Sequence, residues 1–268
     1  MPSADTWNPA LYLRFADERT QPARDLAARV VLPDTAQSPR IIDLGCGPGN
    51  STAVLRARWP AARELTGLDH SPEMIAAARA QFPQTDWQLG DVATWRDPTG
   101  TGYDLVFSNA ALHWLPDHAA LFPHLLQQAR PGGGVLAVQM PAQAYPALQT
   151  ILLAVADSEP AWRERTQAAR HAIRVASPGE YYDWLAPYAA RLELWETRYH
   201  HVLDHARAIV DWVRATGLHP YLDALESDAD RARFEAALRA GAARAYPSQA
   251  DGRVRFPFGR LFLLAYRR

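Results

Sequence analysis

Lysine is absent from this chain of 268 residues: all 28 positions counted as Lys or Arg are arginine. Mixed with abundant alanine, this is most simply a coding bias, so a single arginine says less about an anion site than it would in a chain with both bases. Net charge is scarce as well. The 28 basic residues against 29 acidic ones leave a formal charge of −1, which removes the electrostatic case for a nucleic acid or an anionic membrane as partner. Cysteine occurs once, as Cys46, which excludes an internal disulfide and fits a reducing, cytoplasmic compartment. Long apolar runs are missing. The stretch 151–156 is far short of the about 20 residues that span a bilayer, and residues 1–10 are polar, without the basic-then-apolar order of a secretion signal. The expectation is a soluble cytoplasmic protein, long enough for one domain with insertions or for two small ones.

What is present is concentrated in residues 43–49, Asp43-Leu44-Gly45-Cys46-Gly47-Pro48-Gly49, directly after Ile41-Ile42. A buried strand ending in three alternate glycines lets its backbone approach a ligand that a Cβ would block. The spacing is G-x-G-x-G, not the G-x-G-x-x-G that seats a pyrophosphate, and no Lys-Ser/Thr follows as in a P-loop. Asp43 would repel phosphate but suits an α-ammonium group, which points to S-adenosylmethionine, although a glycine loop alone leaves other nucleotide-like ligands open. Three further segments end in polar groups: 64–69 in Asp69, 86–91 in Gly90-Asp91, and 103–109 in Asn109. Asp69 lies where a ribose-binding acid belongs, and Asp91 could accept from an adenine amino group.

Strand and helix patterns alternate through the first half: strands at 40–45, 64–69, 86–91, 103–109 and 134–140, helices at 50–58, 72–82 and 117–129. That order predicts a doubly wound α/β sheet. Residues 8–31 have helical spacing, with Pro22 expected to open a second helix. Beyond Pro141 the alternation breaks, with strands predicted at 191–203 and 253–266 and helices filling 205–245, giving a mostly parallel, seven-stranded sheet. The expected organisation is one domain over 1–268, with N-terminal helices at 1–31, a cofactor-binding core at 32–141, and helical insertions at 142–190 and 204–250 forming a lid over a small-molecule site.

The run 43–50 with Asp69, Gly90-Asp91 and Asn109 resembles the motif series of class I S-adenosylmethionine-dependent methyltransferases. More narrowly, Trp7-Asn8-Pro9, residues 11–13, 43–52, 109–118, 134–141, 209–213 and 216–218 resemble bacterial trans-aconitate 2-methyltransferases. The resemblance extends to residues 260–262, over nearly the whole chain. It implies a Rossmann-like fold and O-methylation of a small polycarboxylic acid, giving a monomethyl ester and S-adenosylhomocysteine. The implied donor-binding residues are Asp43, Gly45, Cys46, Gly47, Asn50, Asp69, His70, Met74, Asp91, Val92 and Asn109. The sequence departs from the family pattern at Gln21 and His219, where Arg is common, and at His113, where Gln is.

A carboxylate acceptor is already ionised at neutral pH, so methyl transfer to it needs no general base, and the protein's share is alignment. Candidates to hold acceptor carboxylates are Tyr12, Arg19, Tyr181, Tyr182 and Arg260, while His113 and Trp114 should line the mouth of the donor pocket. Each has a plainer reading as packing or surface. His200 and His201 are adjacent on a strand and point to opposite faces, so at most one can face a site. Cys46 reads as a small residue beside the methionine moiety. A metal at His113, His118 and His124 fails on spacing and lacks an acidic partner.

Overall fold

The computed structural model describes residues 16–33, 37–142, 146–214 and 216–268. Tyr12 and the rest of residues 1–15, where the first of the two expected N-terminal helices begins, lie outside them. Strands β1 (Arg40–Leu44), β2 (Glu64–Asp69), β3 (Asp86–Leu89), β4 (Leu105–Asn109), β5 (Val135–Pro141), β6 (Ala189–Leu203) and β7 (Val254–Arg267) form one seven-stranded sheet in the order β3-β2-β1-β4-β5-β7-β6. β1 pairs in parallel with β2 and β4, β2 with β3, and β4 with β5, while β7 runs antiparallel to β5. β1, β4 and β5 are buried along their whole length, which is why their apolar residues do not alternate with polar ones.

Helix α1 (Ala16–Arg29) carries Pro22 in its interior. This corrects the expectation that Pro22 opens a new helix. A mid-helix proline forfeits one hydrogen bond and costs about 3 kcal/mol; here Ala23, Leu26 and Ala27 are fully buried around it, and their packing carries the helix through. Next come α2 (Asn50–Arg58), α3 (Pro72–Gln81) and α4 (His118–Leu126), then α5 (Pro146–Asp157), α6 (Pro160–Arg165), α7 (Pro178–Leu185), α8 (Ala206–Arg214), α9 (His219–Asp223) and α10 (Asp228–Ala245).

The described residues divide into two compact units. The sheet unit holds 16–141, 175–197 and 260–268, and a helical unit holds 142–174 and 198–259. Residues 175–190 were expected in the lid, but α7 buries Tyr181 and Leu185 among Leu121, Phe122, Leu125 and Met140 of the sheet unit. The helical unit has its own core, with Trp162, Trp212, Phe234 and Phe256 at its centre. In it α10 packs on α5, where a Cβ at Gly241 would come within 2.4 Å of the Ile151 side chain.

The sheet unit separates its two faces. Ile42 and Leu44 of β1, Val106 of β4, Leu136, Val138 and Met140 of β5, and Leu261 and Leu263 of β7 share one apolar cluster with α4 and α7. By strand alternation the other face carries Asp43, Asn109, Gln139 and Arg260. α1 packs on β5, and the backbone N–H of Val31, just past α1, donates to the Tyr266 hydroxyl on β7. At the amino ends of the strands Arg40 acts as a clamp: its guanidinium donates to Glu64 (2.6 Å), Asp97 (2.8 Å) and Tyr103 (3.0 Å).

Candidate active site

The carboxyl end of β1 turns sharply over β2. Gly45 and Cys46 both donate their backbone N–H to the Leu68 carbonyl, and Gly47 donates to Asp69 Oδ2 at 2.9 Å. Gly45, Gly47 and Gly49 all have positive φ, which L-residues other than glycine rarely adopt. Their surroundings differ. A Cβ at Gly45 would lie 2.2 Å from Ala111 Cβ, and one at Gly49 would strike Trp87 and Phe82, whereas nothing lies within 4 Å of a Cβ at Gly47. Two of the glycines are therefore required by protein packing; the third borders open space.

Asp43 is fully buried. Its Oδ2 accepts from the Ser51 and Thr52 hydroxyls, both at 2.6 Å, which ties the first turn of α2 to the end of β1. Its Oδ1 is buried with no hydrogen-bond partner. Burial pushes its pKa up to about 6, against the lowering by those two hydroxyls, and the neighbouring charge of Asp69 raises it further. A buried carboxylate with one unused oxygen is a seat for a cation. Asp69 is anchored at both oxygens, by the backbone N–H groups of Gly47 and Ser71, with His70 Nδ1 3.5 Å away. Asn50 Oδ1 and Asn109 Oδ1 are also buried without partners.

The other residues expected at the donor site follow these same strand ends. Met74 is buried in the first turn of α3, where the Ser71 hydroxyl caps the helix by accepting from Met74 N–H. Asp91 is exposed just beyond β3, its Oδ1 accepting from Ala93 N–H, and Val92 beside it is buried. Cys46 packs with Ile75, Ala78 and Trp87. Burial and the charges of Asp43 and Asp69 push its thiol well above the ordinary range, so it stays protonated and is no nucleophile.

The acceptor candidates separate. Arg19 and Arg260 are buried, on α1 and β7. His113 is buried in a short 3-10 turn (Leu112–Trp114) after β4, against the Trp114 ring, with Nδ1 unpartnered. Burial, with the charges of Arg260 and His118, lowers its pKa to about 3, so the imidazole is neutral. Tyr181 is fully buried in the apolar cluster on the opposite face: its hydroxyl accepts from Ala176 N–H and meets His118 Nδ1 at 2.7 Å. The Leu112 carbonyl accepts from His118 Nε2, and the Tyr181 hydroxyl donates to Met140 Sδ at 3.9 Å. The Tyr181 hydroxyl is thus bonded inside the protein, on the face away from Asp43, Asn109 and Gln139. Tyr182 and His200 are exposed, and His201, buried in the helical unit, packs against Trp212. Gln21, one of the departures from the family pattern, is exposed and donates to Asp25.

One residue of this face escaped the sequence reading. Gln139 on β5 is fully buried, and neither its amide oxygen nor its amide nitrogen has a partner. The signal was a lone polar side chain inside the apolar strand Val135–Pro141.

A family described as a methyltransferase domain matches residues 41–133. The trans-aconitate 2-methyltransferase of Azoarcus sp. (strain BH72) is 49% identical over 262 residues, 98% of this chain and 99% of the relative. That of Methylobacterium radiotolerans is 49% identical over 263 residues, 97% of each. The chain belongs to the trans-aconitate 2-methyltransferase family. Family membership makes it an S-adenosylmethionine-dependent methyltransferase. Among solved structures, the putative methyltransferase of Haloferax volcanii, in complex with the Trm112 methyltransferase activator, superposes with a TM-score of 0.59 at 17% identity, covering 100% of this chain and 99% of that one. A putative methyltransferase from Bacillus halodurans gives 0.55 at 14% identity, covering 92% and 98%. At these identities the likeness shows the fold. In this family member no group of three or more His, Cys, Asp or Glu among the described residues could hold a metal ion, and no described helix is long and apolar enough to cross a membrane.

Proposed function

We propose that the protein transfers a methyl group from S-adenosylmethionine to a carboxylate of trans-aconitate, giving the monomethyl ester and S-adenosylhomocysteine. The observation that carries the reading is the line of buried polar side chains with unused hydrogen-bonding capacity at the carboxyl ends of β1, β4 and β5, continued on β7 by buried Arg260. Native interiors rarely leave such groups unmatched, and each costs about 1 to 3 kcal/mol until something bonds to it.

On the donor side, Asp43 Oδ1 would hold the α-ammonium, the open side of Gly47 would admit the methionine end, and Asp69 would accept from the ribose hydroxyls. Asp91 and Val92 would receive the adenine, with Asn50, His70, Met74 and Asn109 completing the walls. When bound, the donor supplies an electrophilic methyl on a sulfonium. Arg19 and Arg260 give the acceptor buried positive charge for its spectator carboxylates, which keep their charge throughout. The attacking carboxylate oxygen forms the new O–C bond as the S–C bond breaks and its electron pair returns to sulfur. No proton moves, so no base is required, and neutral His113 need not ionise. A single buried thiol fits the reducing cytoplasm as the setting.

The test is methyl transfer from isotopically labelled S-adenosylmethionine to trans-aconitate, with the ester identified by mass spectrometry. Turnover on trans-aconitate supports the reading; transfer only to a monocarboxylate or a carrier-bound acid overturns the acceptor, and no transfer to any acid overturns the activity.

A further inference from the structure

We propose that the side-chain amide of Gln139 holds the reacting carboxylate of the acceptor, its Nε2 donating to one carboxylate oxygen. The inference rests on the proposed function and adds a specificity-determining residue to it. Gln139 is fully buried on the α1 face of β5, and both polar atoms of its amide lack a partner. No other side chain in the strand is polar: its neighbours are Val135, Leu136, Ala137, Val138, Met140 and Pro141. A whole unsatisfied amide in the middle of a sheet is retained against its desolvation cost, which points to a ligand that completes it.

Register fixes what the ligand would meet. Gln139 is the in-register neighbour of Asn109 on β4, whose buried Oδ1 is likewise unpartnered, and of Phe262 on β7, two residues from Arg260 on the same face. Strands lie about 4.8 Å apart, and diagonal neighbours stay within reach of long side chains. The strand order β1-β4-β5-β7 therefore sets the glycine loop and Asp43 at one side, Arg260 at the other, and Gln139 between them. An acid anchored by Arg260 reaches towards the donor loop across Gln139.

The chemistry favours an amide there. The attacking carboxylate loses its charge as the ester forms, so a guanidinium bonded to it would stabilise the ground state more than the transition state and slow the reaction. A neutral donor orients the same oxygen with a smaller penalty, while arginines suit the carboxylates that stay ionised.

The experiment compares wild type with Gln139→Met and Gln139→Glu at saturating S-adenosylmethionine, on trans-aconitate or on whichever small acid the wild type methylates. Gln139→Met keeps volume and removes both hydrogen-bonding atoms. It is expected to lower kcat/KM for the acid by about 10- to 100-fold and to leave S-adenosylhomocysteine affinity within about twofold by calorimetry. Gln139→Glu repels the acceptor when ionised but donates an O–H when protonated. Its kcat/KM should rise several-fold as pH falls from about 8 to 6.5, where wild type stays flat, since burial raises a carboxyl pKa into that window. A merely structural amide would not produce that pH signature. The proposal is overturned if the Met variant keeps wild-type kcat/KM, if its loss falls on donor affinity instead, or if the Glu variant shows no such rise. Wild-type activity on a different acid removes trans-aconitate from the reading while these comparisons still decide Gln139; a wild type that neither methylates nor binds any small acid removes both.

Discussion

Asp43 carries a carboxyl whose buried setting is unfavourable until a cation arrives. Its pKa, raised to about 6, means that the native state favours the protonated form. The stability this group contributes is complete below its ordinary value and is lost as pH rises through about 6. A cationic ligand needs the ionised form, so S-adenosylhomocysteine affinity should be constant near pH 7 and fall by up to about tenfold per pH unit below 6, as calorimetry would register. Asp43→Asn should abolish that dependence and weaken binding by about 10- to 100-fold, yet leave thermal stability at pH 7.5 unchanged or improved. Unaltered affinity in the variant would take Asp43 out of the site. His113 has the opposite sign. Its native pKa of about 3 lies below the ordinary 6.5, so the unfolded chain takes up a proton first and stability is lost as pH falls from 6.5 towards 3. At pH 5 that loss amounts to about 2 kcal/mol. His113→Gln should remove it, which urea unfolding at pH 7 and pH 5 would show as a smaller difference between the two.

Within the β1–α2 loop, the three glycines look alike in sequence but differ in what they face. Gly45→Ala would drive its Cβ against Ala111 at 2.2 Å with φ at +70°, and strain plus overpacking should destabilise the fold by about 3 kcal/mol. Gly47→Ala meets nothing in the protein, so its cost should be only the about 1 kcal/mol of left-handed strain. Its Cβ points into the space proposed for the donor, and donor affinity should fall sharply while the melting temperature shifts little. Equal losses of stability in the two variants would place both glycines in packing. At the opposite ends of the strands, Arg40→Met should behave in the reverse sense. It strands the buried Asp97 carboxylate, destabilising the fold by about 3 to 5 kcal/mol in denaturant titrations, but leaves the donor affinity of the folded protein unchanged.

For the whole molecule, a base-free reaction predicts a kcat/KM for the acceptor that is flat from about pH 6.5 to 8.5; a rate climbing tenfold per unit in steady-state assays would demand a base or a hydroxyl or amine acceptor. The sheet and its order of elements were legible in the chain because buried strands, glycine turns and capped helices each leave a local mark: 64–69 matches β2 and 50–58 matches α2 residue for residue. The glycine turn after β1 was legible for the same reason, since positive φ favours glycine at 45, 47 and 49. Pro22 misled because a local rule was outweighed by burial of one helix face. Gln139 left one mark, a lone polar side chain in an apolar strand, but neither what it faces nor how Tyr181 on α7 packs could be read from sequence. In strands buried on both sides no alternation reveals which face a residue takes, and the neighbours that matter, Asn109, Gln139 and Arg260, are brought together only by strand register. The chain by itself determined the fold class and the glycine turn after β1, through constraints on single backbones; which polar side chains converge where the acceptor is proposed to lie was decided by tertiary packing, which alone sets the two faces of the sheet.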